Sequence, residues 1–202
     1  MNNFDRIAPI YDSFKRVMFG DQLDRIVEGA VECIPSSSSV LIIGGGTGEI
    51  LNYLPENCEV DYIEKSGKMI QRAKTRKRKG VNFIHQDFLD AKTEKRYSFV
   101  ICPFFLDLFN QNNLERIVEQ INRLLRPEGK LIVIDFEGEN RWHQLLITLM
   151  YLFFRLTTNI ETDHLLKINA AILSKGLKMI HEEARIKGLI YSRTYHFNNF
   201  VK

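Results

Sequence analysis

Hydrophobic and polar positions follow two rhythms along this chain. Over residues 1–35 apolar side chains recur at helical spacing among charged ones, which predicts a cap of amphipathic helices. Beyond Pro35 and the polar link Ser36 to Ser39, short and almost continuous apolar runs take over: VLII at 40–43, VDYI at 60–63, VNFI at 81–84, YSFVIC at 97–102 and KLIVIDF at 130–136. Helical patterns separate them. Runs apolar on both faces are what a parallel sheet covered by helices on each side requires, and right-handed crossovers leave few topologies open to it.

The end of the chain, GLKMIHEEARIKGLIYSRTYHF, reads as two strands turning at Lys187-Gly188. With the five runs above they predict a doubly wound α/β fold: a mostly parallel, seven-stranded, Rossmann-like sheet with an antiparallel C-terminal hairpin strand at its edge. No repeat and no long Gly/Ser/Pro linker divides the chain, so one domain is expected over 1–202. Its parts are a helical cap (1–35), a cofactor-binding core (37–137), a helical insertion (138–176) and the hairpin (177–202).

Composition narrows the function classes modestly. A net charge of +3 over 202 residues does not call for a polyanionic partner, and no nucleic acid is expected. Cys33, Cys58 and Cys102 form no CxxC pair and are odd in number, which argues against a disulfide framework or structural zinc and for a reduced, cytoplasmic setting. MNNFDRIAPIYD lacks the apolar core of a secretory signal. The uncharged segment Leu145–Phe154 is shorter than the roughly 20 residues of a membrane-crossing helix. It predicts a packed helix that walls an apolar pocket, with peripheral membrane contact as the alternative. The basic run Lys74, Arg76, Lys77, Arg78, Lys79 lies near a helix C-terminus closed by Gly80 and predicts a solvated face.

The chemistry concentrates after the first strand. VLIIGGGTGEI sets Gly44, Gly45, Gly46 and Gly48 between strand and helix, where a chain without side chains turns tightly and approaches a ligand. The spacing is GxGxG followed by Glu49, whereas dinucleotide loops use GxGxxG beside a pyrophosphate that a carboxylate would repel. S-adenosylmethionine has no phosphate and carries a sulfonium cation, so both features favour it. Glu64 stands twenty positions after Gly44 at the end of the second strand, placed to accept from both ribose hydroxyls. After the third strand, Asp87 of HQDFLD is placed to accept from an adenine amine.

Together VLIIGGGTGEI, VDYIEKSGKMI, VNFIHQDFLD, YSFVICPFFLDLF and LLRPEGKLIVIDF resemble, in order and spacing, the successive motifs of class I S-adenosylmethionine-dependent methyltransferases. FDRIAPIYD resembles the opening of the ubiquinone/menaquinone-biosynthesis group, where such a segment caps the cofactor and brings Tyr11 to it. The resemblance implies transfer of a methyl group from S-adenosylmethionine, leaving S-adenosylhomocysteine, to a small apolar or aromatic acceptor, lipid-like or quinol. It further implies that Gly44, Gly46 and Gly48 line the methionine moiety and Glu64 holds the ribose. Lys65 and Met69 would flank the adenine, Asp87 and Phe88 would meet its polar edge, and Cys102 and Pro103 would border the reaction centre. One departure stands out: the family usually has an acid where this chain has Ile42, for which Glu49 is a candidate substitute.

Methyl transfer needs alignment and exclusion of water above all, and orientation alone supplies about 7–11 kcal/mol. Where the acceptor carries a proton, a nearby base helps. Asp107, set among apolar neighbours in PFFLDLF, is one candidate, beside His143, His164 and Tyr11. No metal-ligand spacing is present and no metal is expected. Two other functions fit the fold. A nicotinamide-dependent oxidoreductase would need Tyr-x-x-x-Lys downstream of the glycine loop, but YDSFK at 11–15 lies upstream. A non-catalytic module that retains the cofactor fold would account for Ile42.

Overall fold

The computed structural model describes residues 4–138, 142–143 and 168–197. Two helices open the chain, α1 (Phe4–Phe19) and α2 (Gln22–Val31). Five strands follow, β1 (Ser39–Ile43), β2 (Glu59–Glu64), β3 (Val81–His85), β4 (Tyr97–Pro103) and β5 (Leu125–Phe136), with α3 (Gly67–Lys74) after β2 and α4 (Gln111–Leu124) after β4. Then come α5 (Ile168–Ser174), β6 (Leu177–Arg185) and β7 (Ile190–Phe197). The sheet has seven strands in the order β3-β2-β1-β4-β5-β7-β6. All expected strands are present, and β5 begins earlier than its apolar run because Leu125 already pairs with Tyr97.

Alternation along the strands builds two cores. Val40, Ile42, Val60, Tyr62, Ile101 and Ile134 pack towards α1 and α2, while Leu41, Ile43, Val100, Cys102 and Val133 pack towards α4 and α5. The antiparallel strand is not at the edge. β7 is antiparallel to both β5 and β6 and lies between them, so the hairpin inserts its second strand and leaves β6 outermost. Composition explains the choice: Ile190, Tyr191 and Tyr195 are buried in β7, whereas LKMIHEEAR exposes most of its positions, as a solvated edge strand should.

The glycine loop departs from expectation too. It opens into one 3₁₀ turn, Glu49–Asn52, rather than an α-helix, because Pro55 and the left-handed Asn57 end the segment before β2. The basic run is only partly a solvated face. Arg78 donates to the carbonyls of Leu51, Leu54 and Pro55, and Arg76 to that of Thr47, so the two arginines satisfy the backbone of this shortened segment. Among the described residues no helix is long and apolar enough to cross a membrane. The Leu145–Phe154 segment and most of the expected insertion lie outside the described residues.

Candidate active site at the carboxyl ends of the strands

The chain passes from β1 outward to β2 and β3, then returns to β4 on the other side of β1. A crevice therefore opens at the carboxyl ends of β1 and β4, the switch point where α/β folds bind ligands. The glycine loop forms one wall and Phe104–Leu108 the other, and they touch: a Cβ at Gly44 would sit 2.3 Å from the Phe105 ring. Gly45 is pressed against Tyr62, whose ring atoms a Cβ would meet at 2.4 Å. Gly46 differs, since a Cβ there would meet nothing within 4 Å, so its backbone faces open space.

Ile42 is buried in the apolar core and offers the loop nothing polar. Its place is taken by two neighbours on β2. The Tyr62 hydroxyl donates to the Gly46 carbonyl at 2.9 Å, and the Gly46 N–H donates to Glu64 Oε2 at 3.1 Å. Glu64 Oε1 also accepts from the Ser66 N–H at 2.8 Å. Burial raises the Glu64 pKa against these bonds and the Lys65 backbone N–H, yet an ionised carboxylate has about four acceptor positions and these do not fill them. Glu49, the expected substitute for an acid at 42, is instead ion-paired with Lys15.

Helix α1 lies over this crevice because its polar face is tied to the surrounding loops. Asp5 accepts from Ser66 Oγ at 2.5 Å and from the Lys68 N–H at 3.1 Å. Asp12 accepts from Thr47 Oγ1 at 2.7 Å and pairs with Arg72 at 2.8 Å. These ties bring Tyr11 inside, where burial first, then the negative charges of Glu49, Asp107, Asp12 and Glu64, push its phenol well above the ordinary range.

Of the remaining expected residues, Lys65 and Asp87 bridge the ends of β2 and β3 at 2.6 Å, and Asp87 also caps the turn at Phe88 by accepting from the Leu89 N–H. Met69, Phe88 and Cys102 are buried in the cores, so Cys102 borders the crevice by its backbone while burial raises its thiol. Pro103 ends β4 beside it. His143 is buried, and His164 lies outside the described residues.

Asp107 has a partner that the sequence reading passed over. Asp135, near the end of β5, is fully buried, and its Oδ2 accepts from the N–H groups of Leu106 and Asp107, both at 3.2 Å. Its Oδ1 accepts from Phe136 N–H at 3.0 Å. Phe104 takes a left-handed conformation (φ 53°) just before, which turns the chain so that these amides reach Asp135. The available signal was a lone acid inside an otherwise apolar central strand.

Residues 40–129 match the model of the methyltransferase domain family. Over these residues the chain is similar to a methyltransferase domain. It is 31% identical over 131 residues to an uncharacterized protein of Methanocaldococcus jannaschii, covering 64% of this chain and 48% of that one. To the demethylmenaquinone methyltransferase of Chlamydia pneumoniae it is 24% identical over 144 residues, 69% of this chain and 62% of the relative. The chain thus spans less than two thirds of either relative's length. The fold of the DhpI complex with SAM and HEP superposes with a TM-score of 0.69 at 16% identity, over 95% of this chain and 93% of that one. The glycine loop, Glu64 and Asp87 fall at the ends of consecutive strands, as the sequence pattern anticipated.

Proposed function

We propose that this chain binds S-adenosylmethionine in the crevice and transfers its methyl group to a small apolar or aromatic acceptor. The observation that carries the reading is the pairing of a loop with open space at the Gly46 Cα and a carboxylate, Glu64, that keeps acceptor capacity for a ribose hydroxyl. S-adenosylmethionine supplies a methyl group activated on a sulfonium cation, and Glu64 is a crevice carboxylate without an ion pair among the described residues. Lys65, Met69, Asp87 and Phe88 would enclose the adenine. Gly44, Gly45, Gly48, Cys102 and Pro103 would line the methionine end.

The acceptor side is formed by Phe4, Tyr11, Phe14, Phe19, Phe104, Leu108 and Phe136, with Asp107 among them. The cavity they enclose is about 40 Å³, room for a water or two. An aromatic acceptor therefore enters by displacing α1, whose ties then exclude water on closing. Asp107 is the base of choice here, with Tyr11 orienting. The setting is cytoplasmic, with no nucleic-acid partner.

Calorimetric titration with S-adenosylmethionine, S-adenosylhomocysteine, NADH and NADPH tests the proposal. Micromolar binding of the adenosyl pair alone is expected. Binding of a nicotinamide, or of none of the four, overturns it, and the second outcome would make Ile42 the mark of a non-catalytic module.

A further inference from the structure

Two buried carboxyls lie in hydrogen-bond contact at the floor of the acceptor cavity, and they are not equivalent. Asp135 is 0% exposed and accepts three backbone N–H bonds, but burial and the neighbouring Asp107 outweigh them and raise it. Asp107 is 3% exposed, lines the cavity, and its Oδ1 has no hydrogen-bond partner among the described residues. Two adjacent negative charges out of water are costly, so such a pair retains a proton between them. Asp107 faces the cavity and gives up its proton near pH 6, whereas Asp135, out of water and beside Asp107, is raised further, so at neutral pH the shared proton stays on Asp135.

From this geometry we infer that Asp107 and Asp135 act as one acid–base unit sharing a single proton, which selects acceptors bearing an aromatic hydroxyl and takes up the proton they lose. The inference rests on the methyltransferase reading and names its substrate class. In the reaction the acceptor hydroxyl donates to the open Oδ1 of Asp107. As the acceptor oxygen bonds to the methyl carbon, the electron pair of the broken C–S bond stays with sulfur. The hydroxyl proton passes to Asp107, while Asp135 keeps the proton it holds. The pair goes from one negative charge to none, and the apolar cavity favours that change. Asp107 is the catalytic residue, while Asp135 is a positioning residue that acts through it.

The surrounding groups leave this charge alone. Tyr11 from α1 faces Asp107, and Cys102 from β4 and Tyr191 from β7 face Asp135. Burial and neighbouring negative charge keep all three protonated. Lys15 lines the cavity with its ammonium held by Glu49. Arg193 stacks on Tyr191 and is paired with Glu137 and Glu182. Burial, tempered by the contact with Asp135, lifts Asp107 to about 6, a suitable value for a base at neutral pH.

The test combines infrared spectroscopy with ligand binding on the full chain. At pH 7 the wild type should show a protonated-carboxyl absorption that Asp107→Asn and Asp135→Asn each abolish. Phenol should bind the S-adenosylhomocysteine-loaded protein about tenfold more tightly than anisole, a preference worth 1.4 kcal/mol that Asp107→Asn loses. In Asp135→Asn, with the carboxyl that lowers Asp107 gone, the pH midpoint of phenol binding should rise, a shift that a merely structural role would not produce. No protonated carboxyl in the wild type, its survival in both variants, or equal binding of phenol and anisole overturns the inference. Failure to bind S-adenosylhomocysteine at all would instead overturn the methyltransferase reading.

Discussion

The Tyr62 hydroxyl holds the Gly46 carbonyl at 2.9 Å, and the same ring leaves no room for a side chain at Gly45. The two facts describe one device. A tyrosine on β2 supports the glycine loop from beneath, in a chain whose β1 supplies Ile42 where the family usually has an acid. Tyr62→Phe removes one buried hydrogen bond and should cost about 1 kcal/mol in thermal stability, with a similar loss of S-adenosylmethionine affinity. Gly45→Ala forces the Tyr62 ring to move and should weaken binding about tenfold or more. Equal affinities for wild type and both variants would mean that the loop holds itself.

Glu64 accepts two backbone N–H bonds, and a glutamine offers one acceptor oxygen where two N–H groups converge. Its amide would face one of those donors and would lose the charge that strengthens bonds to ribose hydroxyls. Glu64→Gln is therefore expected to weaken S-adenosylmethionine binding by about 1–3 kcal/mol, read by calorimetry. Unchanged affinity would remove Glu64 from the cofactor site.

The strands and the glycine loop were legible because buried parallel strands are apolar on both faces and because the glycines, Glu64 and Asp87 sit at fixed distances after them. Sequence distance could not reveal what tertiary pairing decides. That β7 inserts between β5 and β6 follows from the greater apolar content of Ile190–Tyr195 than of the charged β6, a comparison a hairpin pattern does not make. The turn after the loop is short because Pro55 and Asn57 intervene, which glycine spacing does not register. Asp135 was hidden inside a run that reads as strand. Its meaning depends on Asp107, which reaches it only because Phe104 turns the chain.

Helix α1 buries Ile7, Ala8 and Phe19 on one face and is held over the crevice by polar ties on the other, so loosening those ties should be separable from global unfolding. Asp12→Ala removes the acceptor for Thr47 Oγ1 and the partner of Arg72, leaving the Asp5 and Lys15 ties in place. Amide exchange across α1 should quicken roughly tenfold while that of β1 and β4 stays unchanged, and S-adenosylhomocysteine should dissociate faster. Uniform acceleration across the sheet would show that α1 is integral to the fold and not a cover.

The buried acids also set a pH dependence whose sign can be worked out. Asp107 is raised from an ordinary value near 3.8 to about 6, and Asp135 is raised in the same direction by burial and by Asp107. Below pH 4 folded and unfolded chains both hold the Asp107 proton, and its contribution to stability is complete. Between about 4 and 6 the unfolded chain releases the proton while the folded one keeps it, so the unfolded state binds fewer protons and stability falls as pH rises. A shift of this size corresponds to a loss of order 2–3 kcal/mol, finished above about pH 6. Asp107→Asn cannot ionise and abolishes the fall. The melting temperature of the variant relative to wild type should therefore rise by several degrees from pH 4 to pH 8, since 1 kcal/mol is roughly 2–4 °C for a chain of this size. A constant difference between the two proteins over that range would mean that burial does not raise Asp107 in the folded state, and that the site does not hold its proton between pH 4 and pH 6.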